Sequence, residues 1–195
     1  RKLARELPCS ILNAGDGAHE HPSQALLDMY SMREHFGTLE GLHVAIVGDI
    51  SHSRVARSNV YGLKKVGAHV TVVAPRTLLP VGVETWGVDV SRDFDPVVKD
   101  ADVIMMLRVQ KERIDEQCFP DEREYSFFYG LNKRRVDMMK PGAIVMHPGP
   151  MNRGIEITHD AADGDRSIIL NQVENGVAVR MTLLYLSLGG NVNGN

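Results

Sequence analysis

Apolar positions along the chain switch between helical spacing and the unbroken runs of buried strands, and this alternation predicts a βα repeat. Between Pro22 and Phe36, Ala25, Leu26, Met29, Tyr30, Met32 and Phe36 recur at helical spacing. Pro22 suits a first helical position, and Gly37 a stop just past the end. Residues 43–49 read as a strand that runs through Gly48 into a helix over about 53–66. Gly67 closes that helix, and 70–75 form a second strand, the length of a right-handed crossover in a parallel sheet. Apolar runs at 103–107 and 143–146 predict two further strands. Residues 175–188, with Val177, Val179, Met181, Leu184, Tyr185 and Leu188, predict a closing helix. The run 9–14, ended by Gly15-Asp16-Gly17, reads as a buried strand and turn, and Leu3 and Leu7 before Pro8 as the end of a helix. The fold class is α/β, a doubly wound parallel sheet with helices on both faces. A chain that opens at the end of a helix is expected to continue something upstream.

Composition narrows the function classes. The chain has 195 residues, 43% hydrophobic and 24% charged, which is ordinary globular usage and excludes disorder and collagen-like repeats. Lys plus Arg is 22 against 25 for Asp plus Glu, a net charge of −3 that argues against coating nucleic acid or an anionic membrane. No apolar run approaches the roughly 20 residues that span a bilayer. Cys9 and Cys118 offer no disulfide framework, so a reducing, cytoplasmic setting is expected.

Ligands of such sheets bind beyond the carboxyl ends of the strands, so the polar residues there carry the candidate chemistry. Four stretches qualify: 15–24, 48–57, 108–113 and 147–153. The stretch from Gly48 to Ser53 lacks the later glycines of a dinucleotide fingerprint, and no Walker lysine follows. Arg54 and Arg57 near a helix start oppose the macrodipole. Arg54, beside the strand end, is read as holding an anionic ligand, and Arg57 as a solvated cation. His19, His21, His52, His147 and His159 form no His-x-x-x-His pair and join no Cys pair, so no metal is expected. His21, directly before Pro22, can aim a ring N–H at a ligand docked at the helix N-terminus, with Gln24 one turn away on the same side. Arg108 and Gln110 flank Val109 on an extended backbone and project to one side, with Glu112 in reach of Arg108 if the chain then turns helical. A guanidinium so fixed suits a bidentate grip on a carboxylate; a solvated loop is the alternative. His147-Pro148-Gly149-Pro150 is a rigid loop whose carbonyls suit a ligand bearing an –NH2 group, or a tight turn that touches nothing.

Together these stretches resemble one family. The segments 13–28, 48–59, 107–113 and 147–150 are similar, in this order, to the C-terminal two-thirds of the aspartate carbamoyltransferase catalytic chain, within the aspartate/ornithine carbamoyltransferase superfamily. His-Pro-x-Gln at His21 to Gln24 is shared with the ornithine branch. Pro148, where ornithine enzymes have His-Cys-Leu-Pro, points to the aspartate branch.

The resemblance implies carbamoyl transfer from carbamoyl phosphate to the amine of L-aspartate, with phosphate leaving, in pyrimidine biosynthesis. It assigns the carbonyl oxygen to His21, the carbamoyl NH2 to Gln24 and the carbonyls of Gly149 and Pro150, the α-carboxylate of aspartate to Arg54, and the side-chain carboxylate to Arg108 with Gln110. It implies no cofactor and no metal, and a homotrimer in full-length form; regulatory or dihydroorotase-like partner chains stay open. It divides the chain into the end of a carbamoyl-phosphate domain with its linking helix (1–37), an aspartate-binding domain (38–173) and a returning C-terminal helix with a frayed tail (174–195). The family's phosphate-gripping Ser-Thr-Arg-Thr loop and lysine-bearing loop are absent from these 195 residues, so the chain alone is expected to be inactive. A binding module without turnover and an unrelated nucleotide-binding protein are the competing classes.

Overall fold

The computed structural model describes residues 2–109 and 121–190. Among them, five strands form one sheet in the order β3-β2-β1-β4-β5, every pair parallel. These are β1 (His43–Val47), β2 (His69–Val73), β3 (Asp89–Ser91), β4 (Val103–Met106) and β5 (Ile144–Met146). Every residue of β4 and β5 is buried, as are the last four of β1 and of β2. Successive side chains on a strand point to opposite faces, so burial of consecutive residues means that both faces are covered. The doubly wound α/β expectation therefore holds.

The helices are α1 (Leu3–Glu6), α2 (Pro22–Phe36), α3 (Arg54–Lys65), α4 (Phe94–Asp100), α5 (Glu122–Tyr129), α6 (Lys133–Met138), α7 (His159–Ala162) and α8 (Ile169–Ser187). Local chemistry sets their ends. Pro22 opens α2, and Gly37, at φ +79°, closes it. Ser53 caps α3, its Oγ accepting from the Ala56 N–H at 3.1 Å, and Asp93, Asp121 and Asn132 cap α4, α5 and α6 in the same way. Helix α2 packs against both α3 and α8.

Four readings need correction. Residues 9–14 form no strand and are mostly exposed, Cys9 included. An apolar run becomes a buried strand only where a neighbouring strand takes up its backbone groups, and none lies beside it here. The edge strand β3 escaped the sequence pattern because it is three residues long and pairs only with β2. The closing helix begins at Ile169, ahead of the expected 175. Arg57 is not a solvated cation: its guanidinium carbon sits 5.1 Å from the Trp86 ring centroid. Gln110, Glu112 and Cys118 lie outside the described residues.

Along α8 and its C-cap an apolar stripe of Leu170, Val173, Val177, Met181, Leu184 and Leu188 is exposed. Its spacing of three and four residues is that of one helix face.

Candidate active site

The sequence of strands reverses direction between β1 and β4, so the connections leaving these neighbours run to opposite sides and open a crevice at their carboxyl ends. A cleft of about 370 Å³ occupies this position. Asp49, His52, Ser53 and Arg54 enter it after β1, Leu107 and Arg108 after β4, and Pro148 to Pro150 after β5. The start of α2 supplies His21 and Gln24, so six of the seven candidate residues line one cavity. Gln110 lies outside the described residues.

His21 is the N-cap of α2. Its Nδ1 accepts from the Gln24 N–H at 3.3 Å, and its own N–H donates to Ser58 Oγ at 2.9 Å. Ser58 in turn donates to the Glu20 carboxylate, which fixes the approach to the helix. A ring nitrogen that accepts from a backbone N–H carries no proton, so in neutral His21 the proton is on Nε2, which becomes the donor. Burial, with the positive charges of Arg54 and Arg180, lowers the His21 pKa and favours that neutral form.

Gln24 stands between the cleft and a buried carboxylate. Its Nε2 donates to Asp28 Oδ1 at 2.9 Å, while its Oε1 accepts from Arg180 at 3.4 Å. Asp28 Oδ1 also accepts from Gln172 Nε2 at 2.6 Å, and Oδ2 accepts from Asn59 Nδ2 at 2.7 Å. Three helices thus each send an amide to one fully buried carboxyl group. Burial outweighs these bonds and the Arg180 charge, and pushes the Asp28 pKa up to about 6.

Arg54 opens α3 and lies against the backbone of Gly15. On the β5 side, the His147 N–H donates to Gln172 Oε1 at 3.1 Å, and Nδ1 of its buried ring accepts from the Gly149 N–H at 2.9 Å. The opposite ring nitrogen faces buried Glu156 at 3.3 Å, and Glu156 also accepts from the Asn152 N–H. The Gly149–Pro150 peptide, which is cis, is therefore held from inside the fold. Asn152 Nδ2 donates to Val109 O at 2.8 Å, which joins the loop after β5 to the one after β4.

Sequence reasoning missed Asp49 and His52 as cleft residues. His52 Nδ1 meets both oxygens of buried Asp49, at 2.8 and 3.0 Å. The Asp-x-x-His spacing straight after a strand is a signal that could have found them. Among the described residues, no three His, Cys, Asp or Glu side chains are grouped to hold a metal ion, and no helix is long and apolar enough to cross a membrane.

The geometry defines a doubly wound α/β protein with a cleft at its switch point, lined by two arginines and an N-capping histidine. Comparison with known proteins is more specific. The family described as "Aspartate/ornithine carbamoyltransferase, Asp/Orn binding domain" matches residues 40–187, and its "carbamoyl-P binding domain" matches residues 1–34. The chain belongs to the aspartate/ornithine carbamoyltransferase family. It is 58% identical over 189 residues to the aspartate carbamoyltransferase catalytic subunit of Geobacter sulfurreducens, covering 96% of this chain and 61% of that one. It is 60% identical over 188 residues to that of Syntrophotalea carbinolica, covering 96% and 60%. The chain thus spans about 60% of the length of these relatives. Among solved structures, Trypanosoma cruzi aspartate transcarbamoylase in complex with carbamoyl phosphate superposes with a TM-score of 0.78 at 30% identity, covering 90% of this chain and 58% of that one. Ornithine carbamoyltransferase from Pyrococcus furiosus superposes with a TM-score of 0.83 at 30% identity, covering 97% and 63%. The backbone is common to both branches; the 58–60% relatives are named for aspartate.

Proposed function

We propose that this chain forms the aspartate side of an aspartate carbamoyltransferase, transferring a carbamoyl group from carbamoyl phosphate to L-aspartate for pyrimidine biosynthesis. The observation that carries the reading is the convergence of Arg54, Arg108 and an Nε2-protonated His21 on one cleft. In the transfer, the amine lone pair forms the C–N bond, the C–O bond to phosphate breaks with its electron pair leaving on phosphate, and the proton lost by the amine ends on the departing phosphate. His21 Nε2–H donates to the carbonyl oxygen, whose negative charge grows towards the transition state. Gln24 Oε1 and the loop carbonyls of Gly149 and Pro150 accept from the carbamoyl NH2. Arg54 takes the α-carboxylate of aspartate, and Arg108, with Gln110, its side-chain carboxylate. Positioning and electrostatics suffice, because the leaving group is already activated.

In this reading, residues 1–37 end a carbamoyl-phosphate domain, 38–173 bind aspartate, and 174–195 return to the first domain, covering the apolar stripe of α8. The homotrimer follows from the resemblance, and the cytoplasmic setting from the absence of a disulfide framework at Cys9 and Cys118. The test is a carbamoyl-aspartate assay on the full-length protein with aspartate and ornithine as alternative acceptors. Turnover with aspartate alone is the expected result, and turnover with ornithine overturns the branch.

A further inference from the structure

We propose that Asp28 is a positioning residue for the carbamoyl end of the cleft: its carboxylate turns the Gln24 carbonyl oxygen towards the substrate and ties the Gly149–Pro150 loop to the same point. The proposal rests on the functional reading above. An amide has a donor end and an acceptor end, and only the acceptor end can receive an –NH2 group. Ionised Asp28 accepts and never donates, and it meets one end of Gln24 at 2.9 Å. Arg180 donates and never accepts, and it approaches the other end at 3.4 Å. Both neighbours demand the same orientation, with Nε2 on Asp28 and Oε1 on Arg180, and a second Oε1 lone pair remains for a ligand.

Gln172 extends the control. Its Nε2 donates to the Asp28 oxygen that also holds Gln24, and its Oε1 accepts from the His147 N–H. His147 then receives the Gly149 N–H on its ring. One buried carboxylate therefore registers both sets of acceptors assigned to the carbamoyl NH2, although Asp28 itself does not line the cleft.

The discriminating probe is acetyl phosphate, which keeps the phosphate and carbonyl of carbamoyl phosphate but replaces NH2 with methyl. In the full-length protein, Asp28→Ala frees Gln24 to turn its NH2 outward, donor against donor. Carbamoyl phosphate should then bind about tenfold more weakly, with acetyl phosphate and the aspartate KM within about twofold of wild type. Asp28→Asn should keep the discrimination: its oxygen can still hold Gln24 and Gln172, while its NH2 faces Asn59, whose buried, unpartnered Oδ1 can turn to accept. Equal weakening of both phosphates in Asp28→Ala, or loss of discrimination in Asp28→Asn, overturns the proposal. A check without a variant is amide exchange by NMR. The Gln24 side-chain NH2 protons should exchange slowly and stay protected when carbamoyl phosphate binds; fast exchange in either state overturns the assignment. Wild-type protein that does not bind carbamoyl phosphate overturns the functional reading along with the proposal. Discrimination that survives Asp28→Ala overturns the proposal alone.

Discussion

The guanidinium of Arg54 fills the space that a β-carbon on Gly15 would need. A methyl group built there falls 2.6 Å from both Cζ and Nη1 of Arg54, and the Gly15 backbone is at φ +121°. Gly15→Ala should therefore displace Arg54 and raise the aspartate KM of the full-length enzyme several-fold, on top of backbone strain of about 1–3 kcal/mol. Gly37→Ala is the control. Gly37 also has positive φ, but a Cβ there meets nothing within 4 Å and the residue lies outside the cleft, so stability should fall while the aspartate KM holds. Equal KM changes in the two variants would remove Arg54 from the aspartate site.

His21→Ala in the full-length enzyme should lower kcat by roughly 10²–10³-fold, the usual loss for one oxyanion donor, with little change in aspartate affinity. Nitrogen-15 NMR tests the tautomer separately. At neutral pH the proton should be on Nε2, and the ring should titrate below the ordinary 6.5, because burial first and then Arg54 and Arg180 disfavour its charge. A proton on Nδ1 would contradict the donor geometry.

Arg108→Ala should raise the aspartate KM by the equivalent of roughly 2–5 kcal/mol if the pair is well desolvated. Arg108→Lys should rescue poorly, since an ammonium cannot reproduce the guanidinium fork. Full rescue by lysine would reduce the role of Arg108 to a diffuse positive field.

Asp28 also makes a pH prediction. Its carboxyl titrates at about 6 in the fold against an ordinary 3.8, so between those values the folded state holds a proton that the unfolded state has lost. Stability must then fall as pH rises from about 4 to about 6, by on the order of 3 kcal/mol, and stay lower above that window. The groups facing it are the amides of Gln24, Asn59 and Gln172 and the charge of Arg180. Asp28→Asn cannot ionise. It should be more stable than wild type at pH 8 in denaturant melts, with the gap closing towards pH 4. A wild type that is the more stable protein at pH 8 would show that the bonds to the carboxylate outweigh its burial.

The 195-residue chain alone should show no carbamoyl-aspartate formation, and adding the carbamoyl-phosphate domain as a separate polypeptide should restore it. Holding two anions together can supply about 7–11 kcal/mol of barrier reduction, and the Ser-Thr-Arg-Thr loop that the resemblance assigns to the phosphate is not in this sequence. Two arginines that could substitute are already engaged: Arg153 grips Asp163 at 2.5 and 2.8 Å, and Arg57 stacks on Trp86. Turnover by the isolated chain would mean that these residues build a phosphate site of their own.

The elements that could be read from sequence carry their own punctuation. Pro22 and Gly37 bound α2, Ser53 caps α3, and the Val/Ile/Met runs of β1, β2, β4 and β5 are strands because both their faces are buried. What escaped depends on partners remote in sequence. Residues 9–14 look like a strand but have no ladder, whereas Asp89–Ser91 looks like nothing until β2 pairs with it. The cleft residues showed themselves by lying just past strands. The Asp28 cluster did not, because Asn59 and Gln172 come from 31 and 144 residues away.

The order of strands also divides the molecule's labour. Cleft-lining loops leave β1, β4 and β5, while none of the cleft lining comes from the loops after β2 or β3. In the proposed reading, His21 and Gln24 at the start of α2 and the Gly149–Pro150 loop after β5 address the carbamoyl group, and Arg54 and Arg108, past the ends of β1 and β4, address the second substrate. Exchanging an acceptor of one charge for another is thus a matter of rewriting loop tips over an unchanged sheet, which is how one scaffold can carry the two alternative substrates in its family's name.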